Sequence, residues 1–391
     1  MNTIHESTIP ACRLIIAFTM SILPISISAQ GPLTPPGAPT PTMKSLDQIE
    51  ARIIVNAANT PGDATNQFII TAPGSYYLTG NITGVSGKNG ISIKGDDVTV
   101  DLNGFALIGA SGLGEGITVP AAHRNLRIHN GSAQGWGGAS IDCDNASNSQ
   151  FDHLRVSQNG VGGFRCGAGN VLSQISAEAN TGGAGIRTGD RCTLTACYAA
   201  DSGGDGIFTG NSCTVTASTS VSNLNGFNIT NQCTIIGCTA VSNTGVGIYP
   251  SDNCTIKDCT ATLNGTGIDA GGSSRSLIAN CAASQNNGDG IRAGYGCLII
   301  SNDASSNKNG GAGIETLNTQ NRIDSNHCIF NASYGIKSSG ATADFIMRNT
   351  CFSNFGAVSA TATANYSPKS GVFFGTLSNV NDAGVSPWAN F

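Results

Sequence analysis

The sequence predicts an all-β protein, a parallel β-helix (solenoid) of about 11 or more coils. A Gly-x-Gly-Ile motif or a close variant recurs along the chain, with gaps of 20 to 24 residues between successive apolar anchors. Short alternating segments separated by Gly/Asn turns fill each interval, which is typical of strands rather than helices. One coil of three short strands and three corners needs about this many residues. The anchors are Ile117, Ile141, Phe164, Ile186, Ile207, Phe227, Ile248, Ile268, Ile291, Ile314 and Ile336.

The composition agrees with this fold and excludes several other classes. The 391 residues include 52 glycines and 38 asparagines, and only 11% are charged. Long solvated helices and coiled coils need more charge on their outer faces. The 19 Lys+Arg against 24 Asp+Glu, a net charge of −5, argue against a nucleic-acid partner.

The N-terminus has the layout of an export signal. Arg13 precedes an apolar run over Leu14–Ile27, and small residues around Ala29 permit cleavage there. The run is shorter than the ~20 residues that span a bilayer, although an uncleaved anchor is the alternative. We therefore assign residues 1–29 to a signal peptide and 30–43 to a proline-rich linker, and predict a secreted, periplasmic or cell-surface protein with no later membrane span.

The rest of the chain is predicted to form a solenoid with a cap at each end. Residues 44–110 are assigned to an N-terminal cap and the first coils, 111–362 to the repeats and 363–391 to a C-terminal cap. A stack of coils leaves an open sheet edge at each end, which invites aggregation. The apolar positions of Lys44–Val55 predict a helix that covers the first coil, and Trp388 and Phe391 are predicted to cover the last.

Two further residue types follow the repeat. An asparagine recurs at one corner, and stacking predicts that it forms a buried ladder; only Ser202 interrupts the series Asn159, Asn180, Asn223, Asn243, Asn264, Asn286, Asn307, Asn331 and Asn354. Of the 14 cysteines, 13 follow the signal peptide, and their positions recur with the repeat, which favours small buried free thiols. Disulfides between stacked or same-coil partners, such as Cys192 and Cys197, remain the alternative. No histidine or carboxylate recurs with them, so no metal site is predicted.

Several segments carry a resemblance to a known family. They include Pro73-Gly74-Ser75-Tyr76-Tyr77-Leu78, Val98-Thr99-Val100-Asp101-Leu102-Asn103-Gly104-Phe105 and the terminal Pro387-Trp388-Ala389-Asn390-Phe391. With the repeats, they resemble the secreted right-handed parallel β-helix proteins of the pectate-lyase-like superfamily, in a bacterial group without assigned activity. The resemblance implies a right-handed solenoid. The superfamily's galacturonase and epimerase strings, such as Gly-His-Gly and Asp-Pro-His, are absent, so it implies no particular reaction.

The best candidates for a functional surface are the residues that come directly after each anchor, whose side chains are expected to point outward in one row. Its candidate ligand-binding residues are Arg165, Arg187, Phe208, Tyr249, Asp269 and Arg292. Aromatic rings stack on sugars and guanidinium groups bind carboxylates, so the row predicts a glycan-binding face. Alternating-charge pairing along Asp269, Arg292, Glu315 and Lys337 is the structural alternative.

A weaker catalytic candidate lies near the N-terminal coils. The repeat alignment stacks His129 over Asp152, with His153 beside them, as a general base and its orienting carboxylate. Two functions follow: a non-catalytic exported protein that binds a glycan or another surface partner, or a polysaccharide lyase, hydrolase or epimerase acting on an acidic polysaccharide. No cofactor is predicted, although a lyase could require calcium.

Overall fold

The computed structural model describes residues 51–110, 112, 114–339, 343–355, 366–367 and 373–374. Two large parallel sheets wind around one apolar core, and no helix occurs among these residues. The sheet that contains the apolar anchors, which we call the anchor sheet, has 14 strands. The chain makes about 13 turns of the solenoid between the first and the last of them. The prediction of a parallel β-solenoid with 11 or more coils is therefore confirmed. The strands of the anchor sheet are Asn66–Ile70, Asn89–Ile93, Ile117–Thr118, Ala139–Cys143, Gly162–Cys166, Ile186–Thr188, Ile207–Thr209, Phe227–Ile229, Val246–Pro250, Thr266–Ser274, Ile291–Tyr295, Ile314–Thr316, Ile336–Ser338 and Tyr366–Ser367.

The second sheet has 22 strands and supplies the other two sides of each coil. In three consecutive coils a single strand of eight residues runs through both sides, whereas the coils before and after them have a separate, shorter strand on each side. Its strands are Ile53–Ile54, Gly74–Tyr77, Ile82–Thr83, Val98–Asp101, Ala106–Ile108, Arg127–Gln134, Gln150–Ser157, Val171–Glu178, Thr193–Thr195, Tyr198–Ala200, Thr214–Thr216, Thr219–Val221, Thr234–Ile236, Thr239–Val241, Thr255–Lys257, Thr260–Thr262, Leu277–Ala279, Ala282–Ser284, Leu298–Ile300, Arg322–Asp324, Phe345–Met347 and Phe373–Phe374. Two short pairs complete the structure: His123–Arg124 with Ala146–Ser147, and His327–Ile329 with Thr350–Phe352.

The predicted anchors are stacked in register in the anchor sheet. Ile141 pairs with Ile117 on one side and with Phe164 on the other, and all three are fully buried. The same column extends beyond the predicted repeats, through Ile91 at one end and Tyr366 at the other. Burial of large apolar side chains in every coil, at roughly 25 cal/mol per Å² of apolar surface, stabilises the stack.

The asparagine ladder is confirmed at the predicted corner. The Asn243 backbone N–H donates to Asn264 Oδ1 at 3.0 Å, and its Nδ2 donates to the same oxygen at 2.8 Å. The residue before each asparagine has a left-handed backbone, as Ser242 does with φ of 55°, which turns the chain and aims the next side chain inward. Ser202 keeps half of the pattern, because its N–H still donates to Asn223 Oδ1 at 2.8 Å.

The thirteen cysteines from Cys143 to Cys351 are all buried and free. Nine of them lie at the other two corners, where their thiols also bond to backbone groups. The Cys192 N–H donates to Cys213 Sγ at 3.3 Å, and that thiol donates to the Gly189 carbonyl at 3.2 Å. The thiols therefore close turns as well as fill space.

The predicted caps are largely outside the described residues. Residues 44–50 of the expected N-terminal helix are not described, and its end is wrong, because Ile53–Ile54 form a strand paired with Tyr76 and Tyr77. That pairing satisfies backbone groups that a helix would have bonded internally. The signal peptide, the linker, Trp388 and Phe391 also lie outside the described residues.

Candidate functional site

The outward row predicted from the anchors lies on the solvent face of the anchor sheet, which we call the anchor-sheet face. Arg165 pairs with Arg187, Arg187 with Phe208, and Phe208 with Asn228, so these side chains follow one another at the ~4.8 Å strand spacing. Asn228 pairs with Tyr249 in turn. The register therefore stacks these side chains in one row, while ligand binding by the row stays a prediction, and the structure adds the partners of each side chain.

At the N-terminal end of this face the arginines are paired with carboxylates. Arg165 Nη1 lies 3.6 Å from Asp142 Oδ2, and Arg187 Nη1 lies 3.2 Å from Asp144 Oδ2. Burial raises the pKa of Asp144 and also that of Glu115, which lies against Asp142. A ligand carboxylate would have to compete with these acids for the two guanidinium groups.

The C-terminal end repeats this arrangement. Arg292 Nη1 lies 2.9 Å from Asp269 Oδ2, and its Nε lies 3.6 Å from Asp289 Oδ2. Lys337 Nζ lies 2.8 Å from Glu315 Oε1. Burial, with the nearby Glu315 carboxylate, raises the pKa of Asp289 to about 6. The two pairs, Asp269–Arg292 and Glu315–Lys337, are those expected from alternating-charge pairing.

The centre of the face is aromatic and amide-rich. Phe208 and Tyr249 lie two strands apart, and 41% of Tyr249 is exposed. Between them Asn228 donates to Asp205 Oδ2 at 2.8 Å, and Asn225 donates to the other carboxylate oxygen at 2.8 Å. This centre offers two ring faces about 10 Å apart, with fixed polar groups between them.

Sequence reasoning missed the acids that hold this face together. Asp205 and Asp289 belong to Gly-Asp-Gly-Ile strings, which suggest turns alone. In the structure each reaches the anchor-sheet face, two residues before its anchor, Ile207 or Ile291. The available signal was this fixed offset from the anchor, which recurs with the repeat.

The three catalytic candidates are brought together on the second sheet. His129 and Asp152 are register partners, as predicted. The Asp152 carboxylate, however, is bound by Arg127, at 3.0 and 3.1 Å, and by His153 Nδ1 at 3.0 Å. Burial raises the pKa of Asp152, but the hydrogen bonds from Arg127 and His153 outweigh it and lower the pKa overall.

His129 has a different carboxylate neighbour. Its Nδ1 lies 3.9 Å from Asp101 Oδ1, beyond hydrogen-bond distance. Burial, and then the Arg127 charge, lower the pKa of His129, which favours the neutral imidazole. A neutral ring can accept a proton, so a role as base stays a prediction, with Asp101 rather than Asp152 nearest to it.

Two family models match the chain. One is described as a right handed beta helix region and matches residues 225–374. The other is described as periplasmic copper-binding protein (NosD) and matches residues 90–280. Together with the register of the two sheets, these matches support the right-handed parallel β-helix fold that the sequence predicts.

Solved β-helix structures align with most of the chain at low identity. The Azotobacter vinelandii mannuronan C-5 epimerase AlgE4 A-module has 14% identity and a TM-score of 0.47, covering 82% of this chain and 88% of that one. The periplasmic alginate epimerase AlgG has 12% identity and a TM-score of 0.45, covering 82% and 81%. The Dettilon tailspike protein has 16% identity and a TM-score of 0.44, covering 77% and 60%. No curated protein matches the chain significantly.

Two absences among the described residues concern membranes and metal ions. The part of the chain that the structure describes contains no helix long and apolar enough to cross a membrane. Within the same residues, no three His, Cys, Asp or Glu side chains are grouped so that they could hold a metal ion.

Proposed function

We propose that this protein is an exported β-helix that binds a polysaccharide along its anchor-sheet face, without a reaction of its own. The observation that carries the proposal is the pair of aromatic rings, Phe208 and Tyr249, held two strands apart around fixed amide groups. Aromatic faces stack on the apolar faces of sugar rings, while amides and carboxylates bind hydroxyl groups. Export is supported by the predicted signal and by the periplasmic description of one matching family.

The ion pairs on the same face restrict which polymer fits. Arg165, Arg187 and Arg292 each have a carboxylate partner, so none presents a free positive charge. The net charge of −5 adds a weak repulsion toward an acidic polymer, which salt would screen. A chain bound across the centre of this face is therefore expected to be uncharged where it contacts the rings.

The test is a glycan array probed with the mature protein, followed by the double variant Phe208→Ala/Tyr249→Ala on the best hit. Each ring removed should weaken binding by about 1 kcal/mol or more, so the double variant should bind at least tenfold more weakly. Phe345→Ala, which removes an exposed phenylalanine of the second sheet, is the matched control. Unchanged affinity in a folded double variant would exclude this face.

A polysaccharide lyase, hydrolase or epimerase is the second candidate, favoured by the neutral His129 beside Asp101 and Asp152. Product assays on the array hit, with and without calcium, test it. His129→Ala should abolish turnover if the imidazole is the base, whereas a β-helix that only binds would give no product in either form.

We do not propose copper binding for this chain, although one matching family model is described as a periplasmic copper-binding protein. The described thiols are buried in stacked turns, where some lie beside the cysteine of the next coil, and they donate to backbone carbonyls, as Cys213 and Cys254 do. Within the described chain no group of three metal-ligating side chains exists. These residues do not fit a copper centre, and we derive no copper chemistry from them.

A further inference from the structure

A second polar site lies on the other side of the solenoid, on the strands Arg127–Gln134, Gln150–Ser157 and Val171–Glu178. Their C-terminal halves present two parallel rows of outward side chains. The cavity between them measures about 260 Å³; we call it the Arg155 groove. One row is Ser132, Arg155 and Ser176, and the other is Gln134, Ser157 and Glu178.

The side chains of the Arg155 groove have no partners of their own. Within the described residues, no side-chain hydrogen bond or ion pair involves any of the six, although Arg155 and Glu178 line the same cavity. This contrasts with the anchor-sheet face, where Arg165 and Arg187 are each paired with an aspartate. The donors and acceptors of the groove are hydrated in the free protein and available to a ligand.

An aromatic ring extends the groove by one coil. Tyr198 follows Ser176 in register, and 39% of it is exposed. Beside it Ala200 follows Glu178, and this small buried residue leaves the space next to the ring open. A guanidinium, a carboxylate, hydroxyl groups and a ring face thus meet on four adjacent strands.

We propose that the Arg155 groove binds a sugar unit that carries an oxyanion, either a carboxylate or a sulfate. A guanidinium without an internal anion pairs with such a group through two parallel hydrogen bonds. The serines on both sides of Arg155 donate to the same oxyanion or to ring hydroxyls. Glu178 accepts from hydroxyls and repels a second anion, so the ligand has its charges separated by neutral sugar rings. Tyr198 stacks on the next ring.

The proposal is tested by calorimetric titration of the full mature protein with hyaluronan oligosaccharides, which carry a carboxylate on every second ring. Their carboxyl-reduced form is the neutral counterpart, and lightly sulfated dextran against plain dextran distinguishes sulfate from carboxylate. Arg155→Gln should weaken binding of the anionic ligand by tenfold or more, because a charge-assisted contact is lost. Tyr198→Ala should weaken it less, and the neutral ligands should bind poorly throughout.

Two control proteins separate this site from the proposed anchor-sheet site. Arg191→Gln removes an exposed arginine at a left-handed corner where Gln232 already occupies an equivalent place, so affinity should not change. The Phe208→Ala/Tyr249→Ala variant should retain anionic binding if the Arg155 groove holds the ligand. Equal affinity of wild type and a folded Arg155→Gln variant overturns the proposal, as does the absence of binding to both anionic ligands. Loss of binding only in the double aromatic variant assigns the ligand to the anchor-sheet face instead.

Discussion

The asparagine corner and the two cysteine corners perform one structural task with different chemistry. At each, a left-handed residue turns the chain, and the next side chain accepts a backbone N–H from the preceding coil. Asn264 does this and also donates from Nδ2 to the Ala240 carbonyl at 3.0 Å and to Asn286 Oδ1 at 3.3 Å. Cys213 accepts one N–H at 3.3 Å and donates to one carbonyl at 3.2 Å. The amide therefore links three coils, whereas the thiol makes fewer and weaker bonds.

The comparison also shows which property the corners share. Serine or asparagine occupies the cysteine corners in other coils, as Ser149, Asn170 and Ser276 do. The common requirement is a small inward side chain with an acceptor atom. Where that acceptor is sulfur, the side chain is also apolar enough to join the core.

The largest expected effect follows from breaking the asparagine corner. Asn243→Leu removes the oxygen that accepts from Asn223 N–H at 2.9 Å and leaves that buried donor unpaired. We expect the free energy of unfolding to fall by about 3 kcal/mol, measured by urea denaturation. Asn253→Leu is the control, since Asn253 is exposed and Leu263 already adopts the same left-handed conformation. An unchanged midpoint for Asn243→Leu would contradict the ladder.

Removing a thiol from a cysteine corner should have a smaller effect. Cys213→Ala deprives the Cys192 N–H of its acceptor and leaves a small void. A loss of about 1–2 kcal/mol is expected in the same denaturation experiment. A loss as large as that of Asn243→Leu would show that the two kinds of corner are equivalent in stability.

The conservative change at this position should cost least. Cys213→Ser keeps the acceptor, and Ser218 and Ser276 show that a hydroxyl fits such a corner. The unfolding free energy should stay within about 1 kcal/mol of the wild type. If the serine variant is as unstable as Cys213→Ala, the thiols act by packing alone and their hydrogen bonds are incidental.

The thiols themselves should be free but unreactive in the folded protein. Burial raises the pKa of Cys143 and Cys166 and raises that of Cys197 to about 11, whereas a hydrogen bond from the Cys213 thiol lowers the pKa of Cys233 to about 6. All thirteen thiols are buried, so a reagent in solution does not reach them in the folded protein. A disulfide-exchange reagent under non-reducing conditions should label few thiols before denaturant is added and all thirteen of Cys143 to Cys351 afterwards. Six disulfides would instead identify a cross-linked secreted framework.

Much of the fold could be predicted because it depends on residue identity at a fixed spacing. The anchors and the asparagine ladder both have this property, and both lie where they were expected. The left-handed corner residues have no fixed residue type, since Ser242, Leu263 and Gln285 occupy equivalent positions, and so they could not be predicted. The thiol hydrogen bonds were missed for a related reason, because a recurring cysteine indicates packing and bonding equally well.

The candidate sites were less predictable, since they depend on which side chains pair in space. The outward parity of the anchor row follows from strand geometry, but the pairing of Arg187 with Asp144 does not follow from that parity. The Arg155 groove was recognised because its side chains lack hydrogen-bond and ion-pair partners among the described residues. No local sequence pattern shows this, because it depends on which side chains neighbouring coils place nearby.

Because of the side-chain ladders, the solenoid can change in length by whole coils. Each ladder residue bonds mainly to its equivalents one coil away, as Asn223 does to Asn243 and Asn243 does to Asn264. If a segment of one coil were duplicated, such as that from Asn223 to Ser242, its ladder residues could therefore bond to the equivalent residues of the coils on both sides. Unequal recombination within the gene would lengthen or shorten the protein by whole coils, and a binding surface would grow with it one strand at a time.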